Sequence, residues 1–472
     1  MRRRLIFVCF LALTLLLIRA EVIYVAQIGR HGSKLSKTRY FAPKSDEPGV
    51  FREQLSMNGM REQYILGSYL RERYIIEEKL LSETYNPAEL KIVASDTPRT
   101  ISSAYALATG LYPPATGPVL SNELLYEEEI SLTNRSSENN ESSDNNNTTV
   151  KQQADWAIPG GFNAIPVKIL SAEDDFLDGY SQKYCPAELE IQYAAAHSNK
   201  TMEFTNEMRP TLNQLAAMLN ISEDKADLQL GLFAYGEMVV MEAEGLPLPV
   251  DKNGSFYKNL SRISGYYTLC IHTATTQIVR VFNTHLIQSV LEELEGRING
   301  ESNVKMSLYA THNINQVTLL VGLGLLSLEC LDGTLSQNTD INTCAELPKF
   351  SAFMTIELHN ITGKYYIKFL YNNKVRRLCE NMTSDGLCSY ETIRTKLING
   401  MVSESEFSRV CKRLPTSRVI SKFTLTMIHA AFVAGAITFL TLSVLICQKK
   451  KRSPLSEHDS LQLIELNPNG QP

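Results

Sequence analysis

The chain has 472 residues, 44% of them hydrophobic and 21% charged, with a formal net charge of −5. That length buries a large core, and the mildly acidic balance excludes a nucleic-acid-binding role, which needs a basic face. Nine cysteines and ten Asn-x-Ser/Thr sequons turn the reading toward an exported protein.

In chain order, Arg2, Arg3 and Arg4 precede the apolar run Leu5 to Ile18, and the small residue Ala20 follows. This is the pattern of a secretory signal peptide, residues 1–20, cut before Glu21. A buried strand is predicted over Glu21 to Ile28, running directly into Gly29-Arg30-His31-Gly32. A helical stretch from Ser56 to Glu78 comes next. Strand Leu90 to Ala94 then ends in Ser95-Asp96-Thr97-Pro98-Arg99-Thr100, ahead of a helical region around Ala104. Strand, helix, strand in that order predicts an α/β fold, a three-layer core with a mostly parallel sheet covered by helices.

From about Pro113 to Leu294 the pattern is mainly helical, over Glu188 to His197, Met208 to Leu219, Leu228 to Ala243 and Asn283 to Leu294. Within it, residues 134–153 are rich in Asn and Ser and read as a sugar-bearing loop. Strands return at Met306 to Tyr309, Phe353 to Leu358 and Tyr365 to Tyr371. The expected organisation is an α/β core from 21–112 and 295–411, interrupted by a largely helical insertion at 113–294.

The uncharged run 423–447 is long enough to span a bilayer, and Lys449, Lys450, Lys451 and Arg452 follow as a stop-transfer cluster. With the signal peptide, this predicts a single-pass type I protein with a cytosolic tail, 448–472. Asp459, Leu463 and Ile464 in that tail resemble an acidic dileucine signal read by sorting adaptors. The sequons Asn134, Asn140, Asn146, Asn147, Asn199, Asn220, Asn253, Asn259, Asn360 and Asn381 all fall on the lumenal side. So do seven cysteines. Close spacing favours the clips Cys330–Cys344 and Cys379–Cys388, leaving Cys185–Cys411 as a long-range staple and Cys270 free. No cysteine–histidine spacing suggests a metal.

Three segments share one build: Arg30 and His31, Arg99, and His312 (in Ala310-Thr311-His312-Asn313) each follow a predicted strand, and Lys34 lies three residues after His31. Two arginines, a lysine and two histidines at one sheet edge would form an oxyanion pocket. Singly, Arg99 reads as a helix-start ion-pair partner and His312 as a core histidine; together they point to phosphate.

Arg30-His31-Gly32, Ser95-Asp96 with Arg99-Thr100, and Thr311-His312-Asn313 together resemble the histidine acid phosphatases, the group of the lysosomal and prostatic enzymes. The likeness covers most of residues 21–411, and Cys185-Pro186 with Cys411 falls where that family has a bridging pair. It implies that His31 attacks phosphorus to form a phosphohistidine and that Arg30, Lys34, Arg99 and His312 bind the phosphate. It also implies no cofactor. Two positions depart from the family pattern. Lys34 stands at the second arginine of the RHGxR signature, keeping charge without bidentate geometry. Asn313 stands where the family has its proton-donating aspartate, and an amide delivers no proton. Asp96, or a glutamate of the insertion such as Glu237, is the expected substitute.

The leading reading is thus an acid phosphatase of the endosome or lysosome membrane, or of the cell surface. The alternative is a catalytically impaired relative that binds phosphorylated ligands or serves as a structural membrane glycoprotein. Partners expected are a phosphomonoester, the sorting adaptors and a second copy of the chain as a homodimer.

Overall fold

The first strand shows why the sheet is covered on both faces. Along β1 (Glu21–Arg30), Tyr24, Ala26 and Ile28 point into one apolar cluster, whereas Val22 and Val25 point into another. A register shift between Val22 and Tyr24 accommodates the change of side. Buried apolar residues in both directions make this an interior strand of an α/β sheet. The computed structural model describes residues 20–36, 40–41, 53–120, 156–178, 181–331 and 344–412, all within one compact unit. Nearly all of the segment read as a signal peptide (1–20), the Asn/Ser-rich segment 134–153, the run 423–447 and the segment with Asp459, Leu463 and Ile464 lie outside the described residues. Among the described residues no helix is long and apolar enough to cross a membrane.

After β1 come α1 (Met57–Arg71), which runs on in wider turns to Glu77, β2 (Leu90–Ala94), α2 (Pro98–Leu111) and the short β3 (Lys168–Ile169). The insertion carries α3 (Glu188–Ala196), α4 (Asn199–Glu207), α5 (Arg209–Leu219), α6 (Leu228–Ala243) and α7 (Ser255–His272). Then follow α8 (Thr276–Asn299), β4 (Met306–Thr311), α9 (Asn313–Gly322), β5 (Phe353–Ile361), β6 (Lys364–Tyr371), β7 (Lys374–Val375), β8 (Leu387–Ser389), α10 (Tyr390–Asn399) and α11 (Glu404–Cys411).

The sheet order is β3-β2-β4-β1-β5-β6-β7, with β8 beside β6. Neighbours from β3 to β1 are parallel, and from β5 onward the pairing is antiparallel, so the sheet is mixed. Within the antiparallel part, Thr362 (φ 50°) and Gly363 (φ 82°) make a two-residue hairpin between β5 and β6, too short for a parallel crossover. Helices α1 and α2 cover one face through Leu66, Leu70, Leu107 and Leu111. On the other face Leu286, Val290 and Leu294 of α8 and Val317 and Leu320 of α9 pack against Tyr24, Ala26 and Ile28. The helical pattern 283–294 therefore belongs to a helix shared with the covering layer of the sheet. Helices α4 to α7 enclose a separate apolar cluster that includes Leu212, Leu215, Met238, Leu260 and Ile263.

Three disulfides, Cys185–Cys411, Cys330–Cys344 and Cys379–Cys388, form as the spacing suggests, and Cys270 is free. The first closes a separation of 226 residues and anchors α11 near the start of α3, with Tyr184, Val281, Phe282 and Phe407 packed around it.

Candidate active site

Parallel strands that end in register present their next residues side by side, and here that register is direct. Gly29 of β1 and Ala94 of β2 both pair with Ala310 of β4, and Arg30 pairs with Thr311. The residues just beyond, His31, Ser95 and His312, thus emerge together at the carboxyl edge, where such sheets hold ligands. Several contacts lock this edge. The backbone N–H of His31 donates to the Thr311 carbonyl at 3.1 Å, that of Ser95 to Ala310 at 3.2 Å, and the Gln316 amide to Ile28 and Ala352 at 3.0 and 2.7 Å.

The loop after His31 is pressed onto the start of α1. A Cβ on Gly32 would lie 2.3 Å from the Gly59 carbonyl oxygen, so only glycine fits there. The glycine serves this backbone-to-backbone approach. Ser103 Oγ accepts from Gly32 N, and Glu62 accepts from Ser33 N. Glu244, in the residue after α6, accepts from the hydroxyls of Ser33 and Ser56, both at 2.6 Å, and from Asn58. The insertion therefore braces the loop directly.

His31 is 3% exposed. Its Nδ1 lies 2.8 Å from the Gly32 carbonyl oxygen. A carbonyl only accepts, so Nδ1 carries the proton and Nε2 holds a lone pair. Burial, then the charge of Arg30, the neighbouring His312 and the charge of Arg99, push its pKa well below the ordinary histidine value. The ring centroids of His31 and His312 are 5.4 Å apart.

Arg30 reaches past Phe350, whose ring centroid lies 4.4 Å from the guanidinium carbon, and donates through Nη1 to the Pro348 carbonyl at 2.8 Å. Burial, opposed by Tyr371 and reinforced by Arg99, brings Arg30 down to about 10, still charged at acid and neutral pH. Arg99 stands in the first turn of α2, where the helix end itself favours an anion. Among the described residues, the buried Nε atoms of Arg30 and Arg99 have no hydrogen-bond partner. Lys34 forms an ion pair with Glu53 at 2.8 Å; burial lowers its pKa, the pair opposes this, and Arg99 and Arg30 add to the lowering.

His312 is 5% exposed and has both ring nitrogens engaged. Arg99 Nη2 lies 3.3 Å from Nδ1, and since arginine only donates, Nδ1 accepts. Nε2 lies 3.2 Å from Ser95 Oγ, whose own proton goes to Asp175 Oδ2 at 2.8 Å, so Nε2 is the donor. Asp175, 3% exposed, also accepts from the backbone of Asp96, Leu177 and Asp178. Asp178 Oδ1 is 4.0 Å from His312 Nε2. Asn315 Nδ2 donates to the Phe176 carbonyl at 3.0 Å, tying this acidic turn to α9.

Arg30, His31, Arg99 and His312 thus converge as expected from sequence, Lys34 faces Glu53 beside them, and Asn313 follows His312 as the first residue of α9. Glu237 is not positioned as a spare acid: its carboxylate accepts the backbone N–H groups of Tyr40 and Phe41 at 2.7 and 3.0 Å. Sequence reasoning missed the Ser95–Asp175 chain, Asp178 and the brace from Glu244. The acidic stretch 173–178 just ahead of Cys185 was the available signal.

The family model of the histidine phosphatase superfamily (branch 2) matches residues 29–372, well over half of the chain. The chain belongs to that superfamily. Among its relatives, prostatic acid phosphatase of Bos taurus is 23% identical over 75% of this chain and 78% of that protein. Lysosomal acid phosphatase of Xenopus laevis is 22% identical over 62% of this chain and 60% of that protein. These relatives make the branch-2 member a histidine acid phosphatase homologue, as its motifs suggest. Solved structures share the fold: phytase of Hafnia alvei (TM-score 0.55, 14% identity, 82% of this chain and 98% of that one) and phytase of Citrobacter braakii (0.54, 15%, 82% and 99%).

Proposed function

We propose that this chain is an acid phosphatase that hydrolyses phosphomonoesters in two steps through a phosphohistidine on His31. The observation that carries this is the pairing of a neutral His31, with its Nε2 lone pair free of the Gly32 contact, and two guanidiniums whose buried Nε atoms lack partners among the described residues. A buried unsatisfied donor costs about 1–3 kcal/mol, so two of them beside one nucleophile call for an anion. In the transition state of phosphoryl transfer, charge spreads over the three equatorial oxygens; Arg30 and Arg99 would hold them. Lys34 joins them if the substrate draws it from Glu53. His312, held by Arg99 and Ser95, borders the same space.

Asn313 takes the position of the family's acid in this reading, so the amide binds without donating a proton. The three disulfides fit an oxidising compartment. We therefore place the catalytic part in the lumen of endosomes or lysosomes, or outside the cell. A type I span at 423–447 would anchor it, a tail with Asp459, Leu463 and Ile464 would engage adaptors, and glycans would sit at exposed asparagines such as Asn199, Asn220, Asn253 and Asn381.

The test is phosphate release from a panel of phosphomonoesters at acid pH by the full chain and by His31→Ala. Turnover that His31→Ala abolishes supports the proposal. Tight binding of phosphate compounds without turnover supports the impaired, ligand-binding reading instead.

A further inference from the structure

Phosphoryl transfer from an alkyl ester leaves an alkoxide that needs a proton, and general acid catalysis supplies about 10²–10⁴-fold in rate. The amide of Asn313 has none to give, and Glu237 is held by backbone amides. Burial raises the pKa of Asp175 against the opposing pull of its hydrogen bonds, but both its oxygens are committed to Ser95 Oγ and three backbone N–H groups, which makes it a positioning residue.

Asp178 differs. It closes the short turn Phe176–Asp178, where its backbone N–H is fixed by Asp175 and the Phe176 carbonyl by Asn315. Its carboxyl is half-exposed, and Oδ1 lies 4.0 Å from His312 Nε2. We propose that Asp178 is the general acid of this chain, supplied by the turn ahead of α3 in place of the residue after His312. The assignment rests on the phosphatase reading given above.

The charged and titratable groups around it come from four elements: Asp175 on the same turn, Arg99 at the start of α2, His312 after β4 and Glu188 at the start of α3. Burial first, then the charge of Asp175, raise the Asp178 pKa to about 6 against the opposing pull of Arg99. Glu188, raised to about 7 by burial and by Asp178, adds a second acidic neighbour. At lysosomal acidity the carboxyl is therefore largely protonated.

The balance is simple. The lone pair of His31 Nε2 forms the N–P bond, the ester P–O bond breaks toward oxygen, and the Asp178 proton goes to that oxygen. In the second step water attacks phosphorus, its proton goes to the Asp178 carboxylate, and the N–P electron pair returns to Nε2.

The experiment compares kcat/KM of the full chain for 4-nitrophenyl phosphate, whose leaving group needs no proton, and for glycerol 2-phosphate, whose leaving group does. Asp178→Asn should lower the glycerol phosphate value by about 10²-fold or more and the nitrophenyl value by less than tenfold. Adding Asn313→Asp to that variant should recover much of the glycerol phosphate loss. In the unmodified chain, glycerol phosphate kcat/KM should fall above pH ~6, tenfold per unit, and this limb should vanish in Asp178→Asn. Equal losses on both substrates, or an unchanged glycerol phosphate value, would overturn the assignment. If the unmodified chain places no phosphoryl group on His31, the phosphatase reading itself fails, and the assignment with it.

Discussion

The Nδ1 of His31 lies 2.8 Å from the carbonyl oxygen of Gly32, its immediate neighbour, and this contact sets the chemistry of the ring. It holds the proton on Nδ1 and leaves Nε2 basic. Because burial and nearby cations depress the His31 pKa, the ring should stay neutral where an ordinary histidine has charged. We predict that the nitrogen NMR signals of His31 show the Nδ1–H tautomer and no midpoint near 6.5 between pH 7 and 5. An ordinary titration there would contradict this account of the ring. The linkage sign follows. With folded pKa values below the unfolded one, His31 and His312 contribute stability that is complete above about 6.5 and is lost as pH falls through their folded values.

Gly32 and Gly59 meet backbone to backbone, so Gly32→Ala should destabilise the chain by about 3 kcal/mol and displace His31. At Gly29 the nearest atoms to an added Cβ belong to the Gln27 side chain, at 2.9 Å, which has rotamers to yield. Urea unfolding of Gly29→Ala should show the smaller loss. The reverse order would mean that the packing of the loop on α1 is not what positions His31.

Arg99 combines a place in the first turn of α2 with a contact to His312. Arg99→Lys keeps the charge and loses the planar fork. Inorganic phosphate should then inhibit about tenfold or more less tightly, with little change in unfolding midpoint. Unaltered inhibition would remove Arg99 from the phosphate site.

The disulfides should rank by the chain they close. Cys185–Cys411 spans 226 residues and Cys379–Cys388 only 9. Chain entropy assigns about 5 kcal/mol to the first and about 3 kcal/mol to the second. Paired Cys→Ala variants compared by denaturant unfolding give the test; a larger loss from the short clip would show that local packing outweighs loop closure.

How much was legible depended on distance along the chain. Strand ends that carry Arg30, His31, Arg99 and His312 stand out because each is a local run of apolar residues meeting a polar turn. The cysteine clips follow from short spacing. What stayed hidden is made by contacts between distant segments: Glu244 bracing Ser33, and Asp175 reaching Ser95 across 80 residues. The packing of Gly32 stayed hidden for the same reason, since its close neighbour, Gly59, belongs to another element. The antiparallel pairing of β5 and β6 depends on the two-residue turn at Thr362 and Gly363, a signal short enough to pass unnoticed among flanking strands.

The most direct measurement is to trap the intermediate. The full chain is mixed with a ³²P-labelled aryl phosphate at acid pH, quenched in alkali within milliseconds, and digested. The account predicts an acid-labile, base-stable phosphoryl group on the peptide containing His31, absent from His31→Ala. Turnover without that label, or label on another residue, would contradict it.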